Sequence, residues 1–392
     1  MATMPNTNNS RLIVVLGMHR SGTSAITKSL EALGVSLGDN LHPAALDNPT
    51  GFWEDREVIA INEELLHHYR SAYDKLSLPW SFSQSCPVVS ELTKKASQLI
   101  SDRLLAHNGI WGFKDPRTCR LLGFWNAVFS GLPCEMSFVI AVRNPVNVAS
   151  SLAVRNGVPT AKSYYLWLQH VLPTLALSES SKRVVVDYDR LMEAPYQQLK
   201  RISKQLRLPL PAQNDRSVID FETDFLVKEL HHNQLTADDL ASDSKAPAVV
   251  RDTYDLLCRL SLDQVSLASA TVKLKIASLT DRMLDIGPAF DYINCLEDDR
   301  QSLWQAAREL GAGRGIEASV YRTQAEFECQ LSALQANLSA AQEGIAGRDN
   351  ELIAYRTQAD EFARHVAALQ ANLLAAQEGI AGRDNELIAY RT

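Results

Sequence analysis

Arg11 to Gly34 reads RLIVVLGMHRSGTSAITKSLEALG, a strand, a tight loop and a helix in succession. Leu12 to Leu16 is a continuous apolar run rich in valine and isoleucine, the pattern of a parallel-sheet strand buried on both faces. Gly17 and Gly22 then bracket a short loop, and Ala25, Ile26, Leu30 and Leu33 recur at helical spacing until Gly34 ends the helix. A loop between strand end and helix start turns several backbone N–H groups and the positive end of the helix dipole toward one point. That point suits a phosphate or sulfate. Arg20 and the hydroxyls of Ser21, Thr23 and Ser24 add donors; the plainer alternative is a glycine turn with a surface arginine.

The glycine spacing is that of a Walker A loop, G-x-x-x-x-G-K-[ST], in which lysine reaches the β- and γ-phosphates and the hydroxyl holds magnesium. Here Thr23 and Ser24 follow Gly22, and the positive charge has moved inside the loop to Arg20. Such a loop cradles one phosphate and is poorly equipped for a triphosphate with its metal.

The chain has 392 residues, 46% of them hydrophobic, enough for a sizeable core and more than one region. A net charge of −7 with no extended basic tract argues against nonspecific nucleic-acid binding. The polar start MATMPNTNNS has neither the charge nor the apolar run of a signal peptide or a membrane span, so a cytoplasmic location is expected. The six cysteines include no C-x-x-C pair and no clustered histidine partner, a poor zinc or redox pattern; no metal is expected.

Three later segments carry chemistry. In Gly51-Phe52-Trp53-Glu54-Asp55 the aromatics can desolvate a neighbouring carboxylate and raise its pKa toward that of a general base. Alternatively, Glu54 or Asp55 caps the helix carrying Ile59, Ile61 and Leu65. Ile110 to Phe113 is a short strand that delivers Lys114-Asp115-Pro116-Arg117 to the carboxyl edge of the sheet, where ligands bind; Asp115 also suits the cap of the next helix, with Pro116 in its first turn. Met136 to Val142 is a further buried strand, followed by Arg143, a Pro145-opened helix and Ser151. Arg143 and Ser151 can converge on a second anion. Two anion sites at two strand ends imply a ligand with two separated phosphates.

GMHRSGTSA resembles the 5′-phosphosulfate loop of sulfotransferases that use 3′-phosphoadenosine 5′-phosphosulfate (PAPS), in particular a bacterial branch and the tyrosylprotein and carbohydrate enzymes. The resemblance covers about residues 11 to 215. It implies that Gly17, His19, Arg20, Ser21, Gly22, Thr23 and Ser24 hold the 5′-phosphosulfate. It further implies that Arg143 and Ser151 hold the 3′-phosphate, that Lys114 contacts the transferring sulfonate, and that Glu54 is the base. The reaction implied is sulfonate transfer, without a metal, to a hydroxyl of a small molecule or glycan; Trp53, Tyr164 and Trp167 are candidates for the acceptor pocket, although Tyr164 and Trp167 read first as core. The rivals are a P-loop kinase, for which Asp187 after the strand Arg183 to Val186 would be the magnesium ligand, and a non-catalytic coiled-coil scaffold.

The expected architecture is α/β: a P-loop parallel sheet flanked by helices (11–245) after a short N-terminal segment (1–10), then a helical region and linker (246–316) and a coiled coil (317–392). An amphipathic helix is expected over 91–107, and Lys228, His231 and His232 are expected over the nucleotide. Residues 249–310 are helical by periodicity, interrupted at Gly287-Pro288. Residues 333–357 and 368–392 are identical but for Ser339 against Leu374, at an offset of five heptads. The alternating three-and-four seam from Leu331 to Tyr390 is a coiled-coil pattern, weakened by Arg348, Arg383 and paired glycines, and weak self-association through it is expected.

Overall fold

The structure, a computed structural model, describes residues 10–43, 51–226 and 235–309. The chain divides into two compact units, Met1–Thr323 and Gln324–Thr392. The repeats and their coiled-coil seam, with Lys228, His231 and His232, lie outside the described residues.

From its N-terminus the first unit runs β1 (Arg11–Leu16), α1 (Thr23–Ala32), α2 (Arg56–His68), α3 (Pro87–Ala106), β2 (Ile110–Lys114), α4 (Arg117–Arg120), α5 (Leu122–Ser130), β3 (Glu135–Val142), α6 (Pro145–Asn156), α7 (Thr160–Leu177) and β4 (Lys182–Asp187). It continues with α8 (Tyr188–Glu193), α9 (Pro195–Leu206), α10 (Arg216–Asp220) with a π-turn at Phe221–Phe225, α11 (Ala237–Ser242), α12 (Ala248–Ser261), α13 (Ala270–Leu284) and α14 (Gly287–Glu309). The α/β expectation holds. Four parallel strands lie in the order β2-β1-β3-β4 with helices on both faces.

Because side chains alternate along a strand, the apolar run of β1 supplies two cores at once. Leu12, Val14 and Leu16 pack with Val58, Leu92, Trp125 and Phe138 on one face, and Ile13 and Val15 pack with Ile26, Val139, Val186 and Ile202 on the other. That double burial is why the run has no polar alternation.

The register pairs Val15 with Lys114, Leu16 with Ile140 and Val142 with Asp187, so all four strands end along one edge. β2 flanks β1 on one side and β3 on the other, which opens a crevice at the carboxyl end of β1, the place where open α/β sheets bind ligands.

Two helix limits differ from expectation. α3 begins at Pro87, four residues before the expected Glu91, because Pro87 takes the first helical position, where its missing N–H costs nothing. The helical stretch after 249 also breaks between Ser261 and Ala270, before the break at Gly287. Tyr164 and Trp167 are buried to within 1% of full burial in α7, so they belong to the core and not to an acceptor pocket. As far as it is described, the region expected as a separate helical stretch packs against α7 and β4 within the first unit.

Candidate active site at the carboxyl edge of the sheet

The loop after β1 is shaped by close approach. A Cβ on Gly17 would lie 2.7 Å from the Cβ of Ala141, and one on Gly22 would lie 2.0 Å from the ring of Tyr188. Arg20 (φ 68°) and Gly22 (φ 74°) both take left-handed backbone, which winds the loop tightly before α1 begins. The Gly17 N–H donates to Cys119 Sγ at 2.9 Å, and burial pushes that thiol up to about 12, so it stays neutral. α1 carries no side-chain cap and no acidic residue in its first turn, leaving its leading amides without a side-chain acceptor.

Arg20, Arg143 and Ser151 meet, though not as three free donors. Arg20 Nε donates to Ser151 Oγ at 2.7 Å, and Arg143 Nη1 donates to the Arg20 carbonyl at 3.1 Å. The Arg143 guanidinium lies over the Tyr188 ring, 4.8 Å from its centroid, and its buried Nε has no hydrogen-bond partner. Of the loop hydroxyls, Ser21 and Thr23 are buried, and Ser24 Oγ donates to the Phe52 carbonyl at 3.3 Å.

Gly51 (φ 90°) and Trp53 (φ 59°) kink the next segment. The kink divides two adjacent carboxylates between two jobs. Asp55 caps α2, accepting from the N–H groups of Glu57 (2.9 Å) and Val58 (3.3 Å) and from Arg103 Nε (2.9 Å). Glu54 turns inward, where Lys114 Nζ donates to its Oε1 at 2.7 Å. Both side chains of that pair are buried, 7% and 2% exposed, so the pair lies out of bulk water. Burial raises the Glu54 pKa above the ordinary carboxylate value, with the Lys114 charge pulling the other way.

Arg117 flanks the pair with Nη1 4.0 Å from Glu54 Oε2, and is itself held by Asp115 at 2.9 Å and Glu63 at 2.5 Å. Asp115 in turn accepts from Asn62 Nδ2 at 2.9 Å, and Asn62 Oδ1 accepts from Trp125 Nε1 at 2.8 Å. This buried chain fixes the turn after β2. His19 faces the same side: its ring stands edge-on to Tyr73 and His170, at 5.4 and 6.2 Å. Burial first, then Arg117 and its other cationic neighbours, holds its pKa well below the usual range, so the imidazole is neutral.

Several contacts had no local signal in the sequence. Phe225 stands edge-on to Trp53 at 5.7 Å, and Lys28 Nζ lies 4.3 Å from the centre of the Trp53 ring. Asn144 caps α6 and, with Asn147, fastens the returning chain at Leu235 and Thr236 beside Arg143. Phe225 and Leu235 sit roughly 90 to 170 residues from their partners in the chain, and even Lys28 lies outside the helical and strand periods of Trp53. Asp187 lies at the end of β4 and caps α8, accepting from the Arg190 N–H at 3.0 Å; burial pushes its pKa up to about 6.

No protein-family model matches this chain, and no curated protein matches it. Among solved structures it is similar to the sulfotransferase domain from the Synechococcus PCC 7002 olefin synthase, at 15% identity and TM-score 0.36 over 72% of this chain and 97% of that one. It is likewise similar to the sulfotransferase domain from the curacin biosynthetic pathway, at 12% identity and TM-score 0.34 over 70% of this chain and 98% of that one.

Proposed function

We propose that the protein transfers a sulfonate group from PAPS to an acceptor hydroxyl. The observation that carries the reading is the pairing, along one sheet edge, of an uncapped glycine loop bordered by Arg143 with a buried Glu54–Lys114 pair. The residues suit a donor with two anionic ends. The leading amides of α1 and the backbone of Gly17 to Ser24 hold the 5′ end, and Arg143, whose Nε is unpartnered, holds the 3′-phosphate beside Ser151. Trp53 and Phe225 provide aromatic faces for the purine.

Bound PAPS supplies an activated sulfonate on a good leaving phosphate. Lys114 Nζ neutralises charge on the leaving and bridging oxygens while Glu54 receives the acceptor's proton. The new S–O bond to the acceptor forms as the S–O bond to the 5′-phosphate breaks, leaving 3′-phosphoadenosine 5′-phosphate. A carboxylate with a raised pKa is the better proton acceptor, and burial raises that of Glu54. The acceptor hydroxyl belongs to a carbohydrate or another small molecule.

The test is a melting experiment. 3′-Phosphoadenosine 5′-phosphate at about 100 times its Kd should stabilise the native state by about 3 kcal/mol, and ATP with magnesium far less. Equal shifts from both nucleotides would favour a kinase, and no shift from either would favour a scaffold.

A further inference from the structure

Arg117 and Arg120 lie on opposite ends of the single turn α4, and the interior treats them differently. Arg117 has Asp115, Glu63 and Glu54 within 4.0 Å. Arg120 is 3% exposed, and among the described residues its hydrogen-bond partners are main-chain oxygens: Nη1 donates to the carbonyl of Ala72 at 2.9 Å and approaches that of Tyr73 at 3.5 Å, while Asp74 acts on it through its charge without an ion-pair contact. Its Nε and Nη2 are buried with no hydrogen-bond partner. A guanidinium this deep is ordinarily paired, because an uncompensated buried charge costs several kcal/mol.

A second unfilled polar atom lies within reach of the Arg120 charge. His170 of α7 has Nδ1 2.6 Å from the Leu166 carbonyl, so Nδ1 carries the proton and Nε2 is the free end of the ring; Nε2 is buried without a partner. Burial first, then the charges of Arg120 and Arg117, both cations of α4, push the His170 pKa down to about 3. The His170 ring stands edge-on to that of His19, whose Nε2 is also buried without a hydrogen-bond partner.

We propose that Arg120 and His170 form an anion site beneath Tyr73, taking one small anion or one carboxylate on Arg120 Nε and Nη2. The anion neutralises the guanidinium. It also reverses the field on His170, which then takes up a proton and donates from Nε2. Two sources supply that chemistry: a free inorganic anion, or the acid group of the molecule that accepts the sulfonate, the second resting on the function proposed above. Tyr73 joins the two places, since its carbonyl faces Arg120 and its ring faces His19 in the loop after β1.

The experiment uses the full chain with 3′-phosphoadenosine 5′-phosphate present, sodium bromide as the probe and isethionate, which carries no carboxylate, as the balancing anion. Crystals should show anomalous bromide within hydrogen-bonding distance of Arg120 Nε and Nη2. In solution, bromide should raise the Tm saturably by about 2 °C, more strongly at pH 6 than at pH 8, and Arg120→Met should remove the saturable part. An ordered water at Arg120 with a Tm indifferent to the anion overturns the site, and bromide binding without pH dependence removes His170 from it. Acetate displacing the bromide marks a carboxylate site and the acceptor as source; bromide held against acetate marks a free anion. If the nucleotide does not bind, bromide in the loop after β1 and bromide at Arg120 are separate peaks, so failure of the donor assignment is told apart from failure of this one. If Arg120→Met does not fold, the crystal result decides.

Discussion

The ends of β2 and β3 face the same crevice from either side of β1, and they handle positive charge in opposite ways. At the end of β2 the cations are closed off by the protein's own carboxylates: Lys114 by Glu54, and Arg117 by Asp115 and Glu63. At the end of β3, Arg143 leans on a carbonyl and an aromatic ring, with Nε unfilled. A guanidinium without a carboxylate keeps its charge available to a ligand, whereas a paired lysine releases its charge only when its partner is neutralised or displaced. On the function proposed above, one strand end binds and the other responds to a proton.

Breaking the closed pair should have the largest effect. Lys114→Ala strands a buried carboxylate and should cost about 3–5 kcal/mol of stability, read by denaturant unfolding, together with turnover. Glu54→Gln retains an oxygen acceptor for Lys114 and removes the base. It should lower turnover by about 10²-fold or more while leaving the affinity for 3′-phosphoadenosine 5′-phosphate nearly unchanged. If Glu54→Gln turns over normally while Asp55→Asn does not, the division of labour between these neighbours is reversed.

The open end gives a smaller effect of a different kind. Arg143→Ala removes a charge-assisted contact worth about 1.5–3 kcal/mol, so the affinity for 3′-phosphoadenosine 5′-phosphate should fall by about 10- to 100-fold. Binding of adenosine 5′-phosphosulfate, which lacks the 3′-phosphate, should hardly change. Arg143→Lys should recover only part, because an ammonium keeps the charge and loses the planar stack on Tyr188. Equal losses for both nucleotides would show that Arg143 shapes the loop through the Arg20 carbonyl and does not touch the 3′-phosphate.

What the sequence could disclose follows the range of each interaction. The strand–loop–helix of Arg11 to Gly34 is legible because burial on two faces, a left-handed glycine and helical spacing are all local constraints, and β1 and α1 lie where they predict. Lys114 and Arg143 are legible as strand-end residues for the same reason. The partition between Glu54 and Asp55 is not, since either carboxylate can cap; it is settled by left-handed backbone at Trp53, a residue type that gives no warning of it. Arg20 and Ser151 both read as ligands for anions, yet in this structure each holds the other at 2.7 Å across 131 positions. Phe225, Tyr188 and the Asn144–Leu235 strap are tertiary contacts with no periodic trace.

The end of β4 offers the smallest effect and the most direct test of the competing nucleotide chemistry. Asp187 is buried, and its pKa is raised from 3.8 to about 6 because burial penalises its charged form. Between about pH 4 and pH 6 the native state therefore binds more protons than the unfolded chain, and stability falls as pH rises through that window. Above it, the buried charge costs at most about 3 kcal/mol. Asp187→Asn keeps an oxygen to accept from the Arg190 N–H and removes the titration. It should flatten the difference between pH 4 and pH 6 and stabilise the protein at pH 7.5 by about 1–3 kcal/mol, with nucleotide binding intact. Were Asp187 instead a magnesium ligand for a triphosphate, the same substitution would abolish a magnesium-dependent Tm shift with ATP. A stabilised variant that still prefers 3′-phosphoadenosine 5′-phosphate places Asp187 among the caps, and leaves the choice of donor to the ends of β1 and β3, as the proposed function requires.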